Sequence, residues 1–157
     1  MAAPSPTARE TPSLLPLRDG YRTLITFGDD PDLSVWEKST TPPGVDGGDP
    51  VNTTTFHNSS YVTKWPRQLK EHTDISMRVA YAGEVRTLIE ALVNVNDEVT
   101  VIFPDGTTDV FWGYLRSFSP QECTDGGQPE ADIVVVITNT DASYAEQGPV
   151  MAAAAGT

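Results

Sequence analysis

The stretch that decides the fold is residues 98–118, EVTVIFPDGTTDVFWGYLRSF. Val99, Val101 and Phe103 occupy alternate positions and so share one face of this run, which is typical of a β-strand. Pro-Asp-Gly at 104–106 is a turn signal, and the β-rich run at 109–118 follows it. The stretch therefore predicts an antiparallel hairpin within a mainly β domain.

Further strand-like runs lie on both sides of this hairpin. They cover residues 21–27, 33–38, 61–64, 74–81 and 132–139. The run at 74–81 alternates apolar and polar residues, and the run at 132–139 is rich in β-branched residues. The turn residues 28–31, GDDP, separate the first two runs, which we expect to pair as a short hairpin.

One segment changes its period from two to 3.6. Between about residues 84 and 93, apolar side chains recur at the spacing of one helix face. A helix of about ten residues does not persist alone in water. We expect it to pack on the sheet face that carries Val99, Val101 and Phe103. The fold class is thus a β-sandwich or open barrel with one flanking helix.

The longest irregular segment is residues 39–60, STTPPGVDGGDPVNTTTFHNSS. Loops longer than about 15 residues are uncommon in compact domains and usually have a function. The segment is either a mobile hairpin connection or an interaction loop that orders on contact. Residues 1–20 and 142–157 resemble extended arms, so the domain itself is expected at 21–141.

Composition restricts the class of protein. The chain has 157 residues, a formal net charge of −12 and one cysteine, Cys123. A lone cysteine forms no intrachain disulfide, and scattered Lys and Arg argue against specific nucleic-acid binding. No apolar run is long enough to cross a bilayer, and the N-terminus is not typical of a secretory signal. Folding in a cytoplasm is the expectation.

The sequence offers no pattern of catalytic or cofactor-binding residues. His57, His72 and Cys123 match no zinc spacing or nucleophile arrangement. Asp46 and Asp49 fit turn chemistry better than a calcium loop, because the EF-hand spacing is missing. We therefore expect no enzyme activity, no metal and no cofactor.

Several segments together resemble the tail tube, or major tail, proteins of long-tailed, siphovirus-like phages. The clearest is TPPGVDGGDPVNTTTFHN at 41–58, followed by YVTK at 61–64 and PRQLK at 66–70. VIFPDG at 101–106 and FWGYL at 111–115 are similar to the family's hairpin. GQPE at 127–130 leads into the last strand, and the resemblance covers about residues 21–141.

This resemblance implies a structural virion protein that polymerises as stacked hexameric rings. The ring sheets would join into an inner barrel, through which DNA passes during ejection without specific binding. Other expected partners are a tape-measure protein in the lumen and the tail-tip and tail-terminator proteins. The expected location is the virion tail, after assembly in the host cytoplasm. The long loop would reach an adjacent ring through Thr41, Pro42, Pro43, Gly44, Asp46, Gly47, Gly48, Asp49, Pro50, Thr54, Phe56 and His57.

The acidity of the chain suggests an acidic lumen, since a basic one would hold the DNA phosphates. The candidates are polar residues of the strands, each of which could equally face bulk water. They are Asp74, Ser76, Glu98, Thr100, Asp109 and Asp132.

Two other classes of protein remain open. Trp36, Trp65 and Trp112, with the Asp-rich loop, motivate a β-sandwich module that binds a ligand such as a carbohydrate. The resemblance also allows another phage structural part, such as a head decoration or tail-completion protein. Self-association separates these classes, because a binding module stays monomeric and a tube protein forms long particles.

Overall fold

The structure, a computed structural model, describes residues 23–28 and 36–153. The predicted arm at 1–20, the turn residues 29–31 and the start of the second predicted strand lie outside this part of the chain. No helix in the described residues is long and apolar enough to span a membrane.

The described chain is mainly β with a single helix, which confirms the predicted fold class. Its elements, in chain order, are β1 (Leu24–Phe27), β2 (Trp36–Thr41), β3 (Val45–Asp46), β4 (Val51–Asn52), β5 (Lys64–Trp65), β6 (Glu71–His72), β7 (Ile75–Ala80), α1 (Gly83–Leu92), β8 (Asp97–Ile102), β9 (Thr108–Pro120), β10 (Glu130–Ile137) and β11 (Val150–Ala152). The main sheet has the order β1-β8-β9-β10-β7-β2, and β11 pairs with β9. The strands β3 and β6, and likewise β4 and β5, form two small separate sheets.

The hairpin of β8 and β9 confirms the prediction from residues 98–118. The strands pair antiparallel, with Val99 opposite Phe111. Gly106 has a φ of 87° in the turn, and its N–H donates to Phe103 O at 2.9 Å. Glycine adopts this left-handed conformation without steric cost, which is why the turn needs it.

The long strand β9 is paired on both sides. Its second half pairs with β10, and Thr138 N–H still donates to Trp112 O at 2.8 Å. The chain then leaves through residues 139–149 and returns as β11, where Val150 lies opposite Val110. Part of the segment expected as a C-terminal arm therefore adds to the sheet of its own domain.

The predicted hairpin between the first two runs is wrong. β1 pairs with β8, and β2 pairs with β7, so these strands end the sheet on opposite sides. The sheet curls until the two ends meet, and Ile25 N–H donates to Glu37 Oε1 at 2.9 Å. β1 and β2 meet without a ladder of backbone hydrogen bonds, and the Glu37 side chain bridges them. This junction is called the β1–β2 seam. The result is an open barrel, one of the two predicted architectures.

The core lies inside the barrel. The fully or almost fully buried residues of β1, β7, β8, β9 and β10 form one cluster with Ile89 of α1. Val99 and Val101 belong to this cluster, so the helix packs on the expected face. Leu88, one of the apolar residues at helical spacing between 84 and 93, is 41% exposed, whereas Ile89 is fully buried, so the helix turns only a narrow face inward.

Candidate assembly surface

A hairpin arm, residues 42–73, leaves the barrel between β2 and β7. Its strands form two short ladders, in which Val45 pairs with His72 and Val51 with Trp65. Almost all of its side chains are exposed. The predicted long loop at 39–60 thus begins within β2 and forms the outward half of this arm. The returning half, which the prediction did not include, completes it.

The tip of the arm is held by polar side chains. Asn58 Oδ1 accepts from Thr55 N–H at 2.9 Å, and Asn58 Nδ2 donates to Tyr61 O at 2.9 Å. Thr63 N–H donates to Thr54 Oγ1 at 3.0 Å. Thr and Asn side chains form such local bonds readily, which explains the TTTFHN sequence of this segment.

Large apolar side chains stand in solvent along the arm. Phe56 is 108% exposed, Tyr61 84% and Trp65 68%. Leu69, on the returning half, is 83% exposed. Isolated exposed apolar residues are ordinary, but several along one projection indicate a protein–protein contact surface.

The base of the arm is attached to the barrel by His72. Its Nδ1 lies 3.1 Å from Asn139 Nδ2, and its ring contacts the Phe111 ring edge-to-face, with 6.0 Å between centroids. Asn139 has a φ of 52°, a conformation that Asn tolerates. The arm therefore projects from the barrel end where β10 also finishes.

A groove of about 680 Å³ runs along the arm beside Asp46, Val51, Trp65, Arg67, Leu69 and Lys70. The motif DGGD shapes one wall, because Gly48 N–H donates to Asp46 Oδ1 at 2.8 Å and Gly48 has a φ of 71°. Arg67 Nε donates to Asp49 O at 2.8 Å across the groove. The groove combines apolar side chains with two basic residues, Arg67 and Lys70, and two acidic residues, Asp46 and Glu71.

The predicted inter-ring residues are brought together on the arm, except Thr41, which ends β2. Of this set, Phe56 presents the largest apolar side chain. Sequence reasoning did not include the exposed apolar side chains of the returning half, Tyr61, Val62, Trp65 and Leu69, among the candidate residues. Their signal was four apolar residues within nine positions of an otherwise polar stretch. The strand predicted at 61–64 is wrong for residues 61–63, because only Lys64 lies in a strand, β5.

The candidate lumen residues do not form one surface. Asp74, Ser76 and Asp132 lie on or beside the outer face of β7 and β10, since Asp132 is opposite Arg78 and Ser76 is opposite Val134. Glu98 and Thr100 lie on the outer face of β8, opposite Trp112 and Val110. Asp109 differs from the others, because it is opposite the buried Val101 and so lies on the inward face.

Arginines neutralise part of the outer face of β7 and β10. Arg78 Nε lies 2.9 Å from Asp132 Oδ1, and Arg116 Nη1 lies 3.4 Å from Asp74 Oδ2. The hydrogen bond from Arg78 holds the pKa of Asp132 below its usual value. Glu98, by contrast, is in no ion pair within the described residues.

The described residues contain no group of three or more His, Cys, Asp and Glu arranged to hold a metal ion. Cys123 is an exposed free thiol whose Sγ lies 3.9 Å from Gln121 O. His57 is exposed on the arm tip, far along the chain from His72 at its base. Among the described residues, the arm carries half of the exposed large hydrophobic side chains, namely Val45, Val51, Phe56, Tyr61, Val62, Trp65 and Leu69.

No protein-family model matches the chain. No curated protein matches it at the level that indicates common ancestry. Among solved structures, it is similar to a chain in the cryo-EM structure of the anti-feeding prophage (AFP) baseplate, which is 6-fold symmetrised. The TM-score is 0.55 at 8% sequence identity, and the match covers 82% of this chain and 89% of that chain. At this identity the likeness shows a shared fold.

Proposed function

We propose that this chain is a structural virion protein of a phage-type tail, which polymerises as stacked hexameric rings into a tube for DNA. The observation that carries the proposal is the arm, with Phe56, Tyr61, Trp65 and Leu69 exposed on the single chain. Burying these side chains against another copy would contribute roughly 1.5–3 kcal/mol for each large apolar side chain before association costs.

The fold supports the same proposal. The similar chain belongs to a 6-fold symmetrised baseplate, a symmetry that fits the hexameric ring expected from the resemblance. The β1–β2 seam leaves strand edges that are bridged by Glu37 instead of a full ladder. Unpaired edges are sites where another chain pairs with a sheet.

The other parts of the proposal follow from this role. Tape-measure, tail-tip and tail-terminator proteins would be its partners, and the virion tail its location after assembly in the host cytoplasm. The lumen would be lined by outward-facing polar residues of the strands. Glu98, which is in no ion pair within the described part of the chain, fits that lining better than Asp74 and Asp132, which are paired with arginines.

Negative-stain electron microscopy of the purified chain at increasing concentration tests the proposal. We expect hollow filaments of constant diameter in the wild type. The matched variant Phe56→Ser/Tyr61→Ser should remain folded, since both side chains are exposed, and should form no filaments. A wild-type chain that stays a compact monomer at high concentration, with or without added tail tips, overturns the proposal.

The likeness to a baseplate chain favours a second candidate, a tail part that forms a single ring. Such a part would use the arm once, to contact a neighbouring ring of another protein. The same micrographs separate the two functions, because rings that never stack support the second and filaments support the first.

A further inference from the structure

The first half of β9 is paired on one side with β11, the last strand of the described chain. The strand β10 pairs with β9 only from Gly113 onward, so β11 is what covers the β9 edge at residues 108–110. All three residues of β11 are exposed, and none belongs to the buried core cluster. The attachment of β11 therefore depends on three residue pairs and little burial of side chains.

One carboxylate, that of Asp109, lies at this pairing. Asp109 is opposite Val101 on β8 and opposite Met151 on β11. Side chains that are directly opposite in an antiparallel pair lie about 5 Å apart on the same face of the sheet. Because Val101 is fully buried, Asp109 is on the inward face, with an apolar side chain on either side. Pairing of β11 therefore removes part of the water around the carboxylate.

No charged neighbour compensates for this burial. The Asp109 carboxylate makes no ion pair or hydrogen bond among the described residues. Titratable side chains on or beside its face are Asp97 at the start of β8, Asp105 in the preceding turn and His72, whose ring contacts Phe111. The strand β11 has no titratable side chain. Burial is the cause that raises the pKa of Asp109.

We propose that β11 is a latch on the edge of β9, docked most firmly while Asp109 is protonated and loosened when Asp109 is ionised. Docking disfavours the charged carboxylate, and by linkage protonation favours docking to the same extent. This contribution is complete below the ordinary Asp pKa of about 3.9 and is lost as pH rises through the raised pKa. Release of β11 leaves a free β9 edge, to which another strand can pair. The latch does not depend on the proposed function.

Hydrogen exchange of the full chain tests the latch. After correction for the intrinsic pH dependence of exchange, the amides of Val150–Ala152 should be protected at least about twofold more at about pH 4 than at pH 7. Asp109→Asn removes the titration and should keep the higher protection at both pH values. His72→Gln should respond to pH as the wild type does, which separates Asp109 from His72. Equal protection of the wild type at both pH values, or an unchanged pH response in Asp109→Asn, overturns the inference.

The reciprocal effect is measured on the Asp109 carboxyl by NMR titration. Met151→Pro removes a backbone N–H and the side chain opposite Asp109, so β11 should detach and the pKa of Asp109 should fall toward its usual value. Ala153→Pro, just past the end of β11, is the matched control and should leave this pKa unchanged. Circular dichroism verifies that each variant is folded. An Asp109 pKa that is the same in Met151→Pro and wild type overturns the inference, even if Asp109→Asn misfolds.

Discussion

Asp109 shows how one residue's position depends on the register of two strands. It is opposite Val101 on β8 and Met151 on β11, so its carboxylate lies on the inward face near the end of the barrel. Burial there raises its pKa. A carboxylate in this position destabilises the folded chain when it is ionised, because water around the charge is partly removed.

The folded chain therefore binds a proton at Asp109 more tightly than the unfolded chain does. Stability falls as pH rises from the unfolded value of about 3.9 through the raised folded pKa. Asp109→Asn should increase the urea midpoint at pH 7 and change it little at pH 3. Asp125→Asn, in an exposed turn, is the control. Equal midpoints for Asp109→Asn and wild type at pH 7 would contradict the assignment.

At the scale of single elements, α1 begins without a side-chain cap. Ala82 at its N-cap has φ −93° and ψ 152°, an extended conformation that suits a capping residue. The helix depends instead on Ile89, which is fully buried, and on the exposed pair of Arg86 Nε and Glu90 Oε1 at 2.8 Å.

Ala82→Ser should stabilise the domain by about 0.5–1 kcal/mol, since its hydroxyl can accept from a free N–H of the first turn. Thermal and urea unfolding measure the gain. Ala91→Ser, at an exposed position inside the helix, should be neutral or slightly destabilising. If both substitutions change the unfolding stability equally, helix capping is not the cause of the change.

The seam between β1 and β2 is the other element whose stability depends on one side chain. Glu37→Ala removes the acceptor of Ile25 N–H and should cost about 1 kcal/mol. Amide exchange at Ile25 should become faster. Glu37→Gln keeps a carbonyl oxygen in the same place and should retain most of the protection. Unchanged exchange in Glu37→Ala would show that the bond does not form in solution.

At the scale of the whole molecule, the residues that stabilise the fold and the residues proposed for association lie in different parts of the chain. The buried core cluster contains only barrel and helix residues, and none from the arm. The arm is held by its own ladders and by local bonds of Thr and Asn side chains. The fold therefore does not depend on the surface that we propose for assembly.

Replacing residues 42–73 by Asn-Gly should leave a stable barrel, because Thr41 and Ser76 are already opposite each other. A short turn can join strands with this register. We expect a modest loss of stability and a cooperative transition, because the deletion removes His72, whose ring packs against the buried Phe111, but no residue of the core cluster. Calorimetry measures it, and a broad or absent transition would show that the arm is part of the cooperative unit.

Local patterns in the sequence were sufficient for several elements. The alternation in 98–103, the PDG turn and the following β-rich run predicted the β8–β9 hairpin, because register in a hairpin depends on neighbouring residues. The period of 84–93 predicted the helix to within a residue at either end. The irregular composition of residues 39–60 predicted a long loop, which overlaps the outward half of the arm, but it did not indicate the returning half.

The sequence by itself determined the mainly β class, the hairpin and the helix. Only the tertiary structure decided that β1 and β2 lie at opposite ends of the sheet, that Asp109 faces inward and that Asp74 and Asp132 are paired with arginines. The physical reason is the separation along the sequence of the residues that interact. Period and turn chemistry act between residues close in sequence, whereas strand order and ion pairs join residues far apart in the chain, whose proximity depends on how the whole barrel closes.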